Sequence, residues 1–337
     1  MTEQPGTRNI VVIGGSAGGI DAMQRIVRDL PAELAAAIFV VIHIAASATS
    51  TLPKILARAG NLPADHPHEG EPIQPGRIRC APPDLHLILG EGHLHLSHGP
   101  REHNHRPAAD VLFRSAAEHH GSRVIGVVLS GMLGDGAVGL RRIVNAGGLG
   151  IVQDPLGAAS SPMPENAVAV AHPQHVVPLE QIAPLIVREV GLGSPVARPV
   201  RPSVTIHGEH RADEEMAQPA ATVIGDDRPG RPSGYSCPDC SGVLWEVDDG
   251  DQIELVCRIR HRYNLESLVE AKTSALEGAL WAGVRALEEH GSLMQRLAER
   301  HGSEEATRDR FVERGSDAER QARMLRDLIQ SKSEPAA

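Results

Sequence analysis

Three side chains that together could cleave an ester lie at the ends of three apolar runs. The first run, Asn9-Ile10-Val11-Val12-Ile13, stops at Gly14-Gly15-Ser16-Ala17-Gly18-Gly19, and helical spacing takes over from Ile20. A strand that ends in such a turn and runs straight into a helix presents a short side chain beside the free N–H groups of the helix N-terminus. The second run, Ala37 to Ile44, carries His43 near its end, and the third, from Arg123, leads into Ser130-Gly131-Met132-Leu133-Gly134-Asp135-Gly136. A serine hydroxyl becomes a strong nucleophile when an imidazole removes its proton, and a carboxylate holds that imidazole in the right tautomer. Gly14-x-Ser16-x-Gly18 also fits the spacing of a nucleophile elbow. Other readings of the turn fare worse. A dinucleotide fingerprint needs glycine where Ser16 stands and an acidic residue where His43 stands, and a phosphate loop needs a Gly-Lys-Ser/Thr that does not follow. Close strand-to-helix packing explains the glycines alone, but not the histidine and aspartate at two further strand ends. The order Ser, His, Asp, with the nucleophile on the first strand, is not that of the α/β-hydrolases.

Residues 8–190 alternate between apolar runs and helical spacing, which predicts an α/β domain with a doubly wound, mostly parallel sheet in three layers. In such a sheet ligands bind beyond the carboxyl ends of the strands, where the strand order reverses. Between about 70 and 98 the pattern changes to short strands with turn signals (Arg77–Cys80, Leu85–Leu89, His93–Leu96), which predicts an antiparallel hairpin insertion. His86, His93, His95, His98, His103 and His105 are expected to be exposed residues of that insertion, since no spacing among them completes a metal site. Cys80 is expected to be a small buried hydrophobe.

Residues 191–233 are rich in proline, glycine and charge and are expected to form a flexible linker. Residues 234–262 hold Cys237-x2-Cys240 and Cys257-x3-His261, two close pairs that suit tetrahedral zinc. A structural zinc in a small zinc-ribbon-like module follows, with Trp245 and Tyr263 packed beside it, because so short a segment buries too little surface to fold unaided. Residues 264–330 predict an amphipathic helical tail with Leu276, Leu280, Val284 and Leu287 as its stripe, which folds as an intramolecular hairpin broken near Gly291 or Gly302, docks on its own domain, self-associates or binds a receptor helix. The net charge of −10, with no basic run interleaved with aromatics, argues against nucleic acid. No apolar stretch is long enough to insert in a membrane and no signal peptide is apparent, so a cytoplasmic location is expected.

Over residues 8–190 the chain resembles the methylesterase domain of CheB, the chemotaxis-receptor protein-glutamate methylesterase. The likeness rests on Gly14–Gly19, on the strand ending in His43, on Cys80-Ala81-Pro82-Pro83-Asp84-Leu85-His86, on Arg106-Pro107-Ala108-Ala109-Asp110-Val111-Leu112-Phe113, on Leu129–Gly136 and on Gln153-Asp154-Pro155. It implies that Ser16 is the nucleophile, His43 the general base and Asp135 the orienting acid. Backbone N–H groups at Ala17 and Met132 would serve the oxyanion, and no cofactor would be needed for catalysis. The implied partner is a methylated chemoreceptor or receptor-like signalling protein, with a methyltransferase in the same pathway, and glutamine deamidation is the implied second activity. A signalling adaptor that binds methylated helices without catalysis is the rival. The family often has threonine where this chain has Ala17. Full-length members also carry an N-terminal phospho-receiver, whereas only about eight residues precede the first strand, so the esterase is expected to be constitutively accessible or controlled through the C-terminal appendage or a partner.

Overall fold

The computed structural model describes residues 7–44, 50–191, 230–248, 253–300 and 305–331, so most of the expected linker lies outside the described residues. Two compact units result, Met1–Ser267 and Leu268–Ala337.

The first unit begins with β1 (Ile10–Gly15), α1 (Gly19–Arg28), β2 (Ala37–Ile42), α2 (Leu52–Ala59), β3 (Ala64–Asp65), β4 (Arg77–Cys80), β5 (His86–Leu89) and β6 (Leu94–Ser97). It continues with α3 (Ala109–His120), β7 (Val124–Val128), α4 (Ala137–Asn145), β8 (Leu149–Gln153), α5 (Pro162–Ala171), β9 (His175–Val177) and α6 (Leu179–Glu189). Seven strands form one sheet in the order β3-β4-β2-β1-β7-β8-β9, and every neighbouring pair is parallel. Strand side chains alternate between faces. Val11, Ile13, Ile38 and Val40 therefore pack with α1, α2 and α6 on one face, while Ile10, Val12, Phe39 and Val41 pack with α3, α4 and α5 on the other. This is the expected α/β architecture. Its central strand, β1, has β2 on one side and β7 on the other, which places the reversal of strand order beside Ser16.

One strand is placed differently from expectation. Arg77–Cys80 lies parallel to β2, with Ile78 beside Ile38, rather than in an antiparallel insertion. Four alternating residues carry no mark of strand direction, which is set by the connection. β5 and β6 form a separate antiparallel pair, with His86 opposite Ser97 and Leu89 opposite Leu94.

The first unit also holds a four-stranded antiparallel sheet of β10 (Arg231–Ser236), β11 (Val243–Asp248), β12 (Ile253–Cys257) and β13 (Arg262–Tyr263), whose first strand starts within the expected linker. α7 (Leu265–Arg300) then leads into the second unit, where it pairs with α8 (Glu305–Ser331). Val284, Ala322 and Ile329 are buried between them, with Leu280, Leu287 and Leu325 packed alongside. Leu276, expected in that stripe, is 50% exposed. Gly291 lies inside α7, where a Cβ would come 3.4 Å from the Gly315 carbonyl oxygen of α8, so it serves close helix approach rather than a break. Gly302 lies outside the described residues. Among the described residues no helix is long and apolar enough to cross a membrane.

Candidate active site

The turn after β1 and the loop after β7 are built alike, and each delivers one expected site residue. Both reach their helix through a left-handed glycine, Gly18 at φ 77° before α1 and Gly136 at φ 87° before α4, a conformation that a Cβ would strain. They are stitched together. The Ser16 amide donates to the Ser130 carbonyl at 2.9 Å, and the Ser130 hydroxyl donates to the Ala17 carbonyl at 2.7 Å. Gly131 leaves room for the nucleophile, since a Cβ there would stand 2.9 Å from Ser16 Cβ. Met132 follows with its side chain exposed. Ser16 and His43 share a cleft of about 330 Å³ with Arg101, Asn104, His105 and Arg106.

His43 Nε2 is 2.6 Å from Asp135 Oδ2, while its other nitrogen, Nδ1, is buried with no hydrogen-bond partner. A buried polar atom left unpaired calls for an explanation. No hydrogen bond joins Ser16 Oγ to His43 among the described residues. The ring is used the opposite way from the chymotrypsin arrangement, in which Nδ1 faces the acid.

Asp135 is fully buried and accepts from three donors: His43, the Ala109 amide at 2.6 Å and the Asp110 amide at 2.8 Å. Burial alone would raise its carboxyl. The His43 hydrogen bond and charge, with His103 and the Ala109 amide, outweigh burial and hold it below the ordinary carboxylate range. A carboxylate therefore faces the imidazole.

A set of buried partners around this pair was not legible in the sequence. His86 and His103, expected as exposed insertion residues, are buried. His86 donates through Nε2 to the Pro100 carbonyl at 2.9 Å and accepts from the Ala108 amide at 3.3 Å. His103 Nε2 lies 2.8 Å from Asp110 Oδ2, whose other oxygen accepts from Gly139 at 2.6 Å. Glu102 takes both Arg114 nitrogens, at 2.7 and 3.2 Å. His103, Asp110 and Asp135 are close enough to suggest a cation. Their atoms are already committed to the hydrogen bonds just described. The one available sequence signal is the polar run Arg101–Arg106 ahead of an apolar helix.

Burial opposes the charged form of His103, but the Asp110 hydrogen bond and charge, with Asp135 and Glu102 further off, raise it to about 9. A histidine raised on folding contributes stability that is complete below its unfolded pKa, near 6.5, and is lost as pH rises through the folded value. Urea titrations should show wild type losing stability between about pH 7 and 9, by up to about 1.4 kcal/mol per pH unit, relative to His103→Gln. Parallel pH profiles for the two proteins would contradict the ion pair.

In the four-stranded module, Cys237 Sγ is 3.5 Å from His261 Nδ1, Cys257 Sγ is 3.3 Å from it, and Cys240 Sγ is 3.7 Å from Cys257 Sγ. A zinc tetrahedron with sulfur at about 2.3 Å and nitrogen at about 2.0 Å has edges of about 3.5–3.8 Å, so the donor set fits that ion. Tyr263 is buried with its hydroxyl on Asp239 and beside Cys237, and Trp245 is half-buried.

Comparison with known proteins gives the family of this fold. The family model for CheB methylesterase matches residues 11–186. A protein of Leptospira interrogans, provisionally named a protein-glutamate methylesterase/protein-glutamine glutaminase, is 40% identical over 179 residues, 53% of this chain and 93% of that one. A similarly named protein of Anaeromyxobacter dehalogenans is 41% identical over 181 residues, and the match spans only 53% of its length. The crystal structure of the Thermotoga maritima CheB methylesterase catalytic domain is similar with a TM-score of 0.53 and 31% identity, over 55% of this chain and 100% of that one.

Proposed function

Since the chain belongs to the CheB methylesterase family, we propose that it is a serine hydrolase removing methyl groups from glutamate 5-methyl esters of chemoreceptors or receptor-like signalling proteins. The observation that carries the reading is His43, which lines the cleft with Ser16, is bonded to ionised Asp135 through one nitrogen and has its other nitrogen unpaired. Ser16 Oγ adds to the ester carbonyl while His43 Nδ1 takes its proton, and the imidazolium returns that proton to departing methoxide. Methanol leaves and Ser16 is esterified by the glutamyl group. Water, deprotonated by His43, releases the glutamate and restores the serine. The Ala17 and Met132 amides hold the oxyanion at each tetrahedral step, and each such donor is worth about 10²–10³ in rate. A glutamine carboxamide enters the same path with ammonia as leaving group, which makes deamidation the second activity. No cofactor takes part in these steps.

In this reading residues 8–190 are the catalytic domain, 191–233 a linker, 234–262 a zinc-ribbon-like module and 264–330 the tail. Cys237, Cys240, Cys257 and His261 hold a structural zinc, leaving no open coordination position for chemistry. The chain acts in the cytoplasm, opposite a methyltransferase.

The test is methanol release from methylated chemoreceptor signalling domains mixed with the purified chain. Stoichiometric release with loss of the methyl mass from the receptor is expected. Binding to the methylated receptor without release would favour an adaptor instead.

A further inference from the structure

The segment that walls the cleft is gripped from behind by the C-terminal module. On the cleft side, His105 stacks on His43 with ring centroids 3.6 Å apart and planes inclined by 15°. Two residues earlier the same segment meets β13 and the start of α7. The His103 amide donates to the Arg262 carbonyl at 2.8 Å, and Glu102 forms a parallel bridge with Arg262. The His103 ring spans Ser267 Oγ at 3.1 Å and Asp110 at 2.8 Å. Asn264 packs on Gly134, where a Cβ would collide with its amide, so the residue just before α7 also touches the loop that carries Asp135. Glu102, His103, Arg262, Asn264 and Ser267 are all buried.

We propose that the module and the first turn of α7 position the general base: Arg262 and Ser267 fix Glu102 and His103, which in turn fix His105 as the surface against which the His43 ring is held. The proposal rests on the assignment of Ser16, His43 and Asp135 made above, and it makes His105 a positioning residue. A flat ring against His43 restricts rotation of the imidazole and shields one face from water. Burial, with the neighbouring His43, holds His105 down to about 3, so it stays neutral and does not repel the imidazolium formed during attack. A cleft wall that depends on a second folded module gives the appendage a way to govern turnover.

The experiment uses the full chain and a fluorophosphonate, which labels an activated serine without any receptor, with the adduct located by mass spectrometry. His105→Ala should lower the limiting labelling rate about ten- to a hundredfold, as expected for misplaced reacting groups, with half-saturating probe concentration unchanged. His105→Phe, which restores a flat ring, should recover most of the loss. Ser267→Ala should slow labelling about tenfold, and in the double variant with His105→Ala it should add nothing, since coupled residues are non-additive. Hydrogen exchange at residues 101–106 should quicken about tenfold or more in Ser267→Ala, a readout independent of activity. Wild-type labelling and exchange in Ser267→Ala, or effects that multiply in the double variant, would overturn the proposal. Wild-type protein that takes no label at Ser16 would overturn the nucleophile assignment instead.

Discussion

Methanol release should fall by about 10⁵-fold or more when Ser16 is replaced by alanine, because the remaining groups can only assist direct attack by water. The substitution removes one half-buried oxygen that has no hydrogen bond to His43, so the melting temperature should stay within a few degrees. Asp135→Asn should behave differently. Its activity loss, about 10⁴-fold, reflects an imidazole held in the wrong tautomer. Asp135 also accepts from His43, Ala109 and Asp110, all donors. An asparagine offers one accepting oxygen and a donating NH₂, which would face a buried N–H and cost about 1–3 kcal/mol of stability. The two variants thus separate the nucleophile from the acid: one silent in a melt, the other early. Steady-state kinetics with calorimetry measures both, and an Asp135→Asn enzyme near wild-type turnover would remove Asp135 from the mechanism.

Stripping the metal should unfold the module outright. Structural zinc in small sites contributes about 10–16 kcal/mol at neutral pH, more than such a module gains from its own core. Cys257→Ser should have the same outcome as a strong chelator, because Cys257 Sγ is close to both Cys240 Sγ and His261 Nδ1. Native mass spectrometry should give one zinc per chain before chelation and none after. Amide exchange in β11 and β12 should then lose its protection, while β1 and β2 keep theirs. Full protection of β11 and β12 in metal-free protein would mean that the four donors are not a folding centre.

The parts of the site that could be read from the chain are those set by local rules. Ser16 lies where a β-branched run breaks at glycines, and His43 and Asp135 lie at or just beyond the ends of other apolar runs. A parallel sheet gathers such ends on one edge, so linear spacing was enough. The cluster of Cys237, Cys240, Cys257 and His261 was legible for a similar reason, as two pairs of candidate ligands at short separations. Contacts between distant segments could not be read this way. His103 looks like a solvated histidine until Asp110 and Ser267 close around it, and Ser267 is 164 positions away. His105 gains its place from stacking, which leaves no periodic trace. The direction of β4 was lost because four residues look alike in either sense, and Leu276 follows the helical spacing of its stripe yet faces outward because the facing helix does not cover it.

Cys80 sits in β4 with none of its surface exposed, and burial, with nearby Asp65, pushes its thiol up to about 12. It is therefore inert to alkylating and disulfide-exchange reagents while the sheet is intact, since the thiolate is the reactive species. The four cysteines of this chain thereby act as a built-in counter. Titration with an aromatic disulfide should register three thiols as the metal departs, with the fourth appearing only when the α/β sheet opens, so a single colorimetric trace times the two events separately.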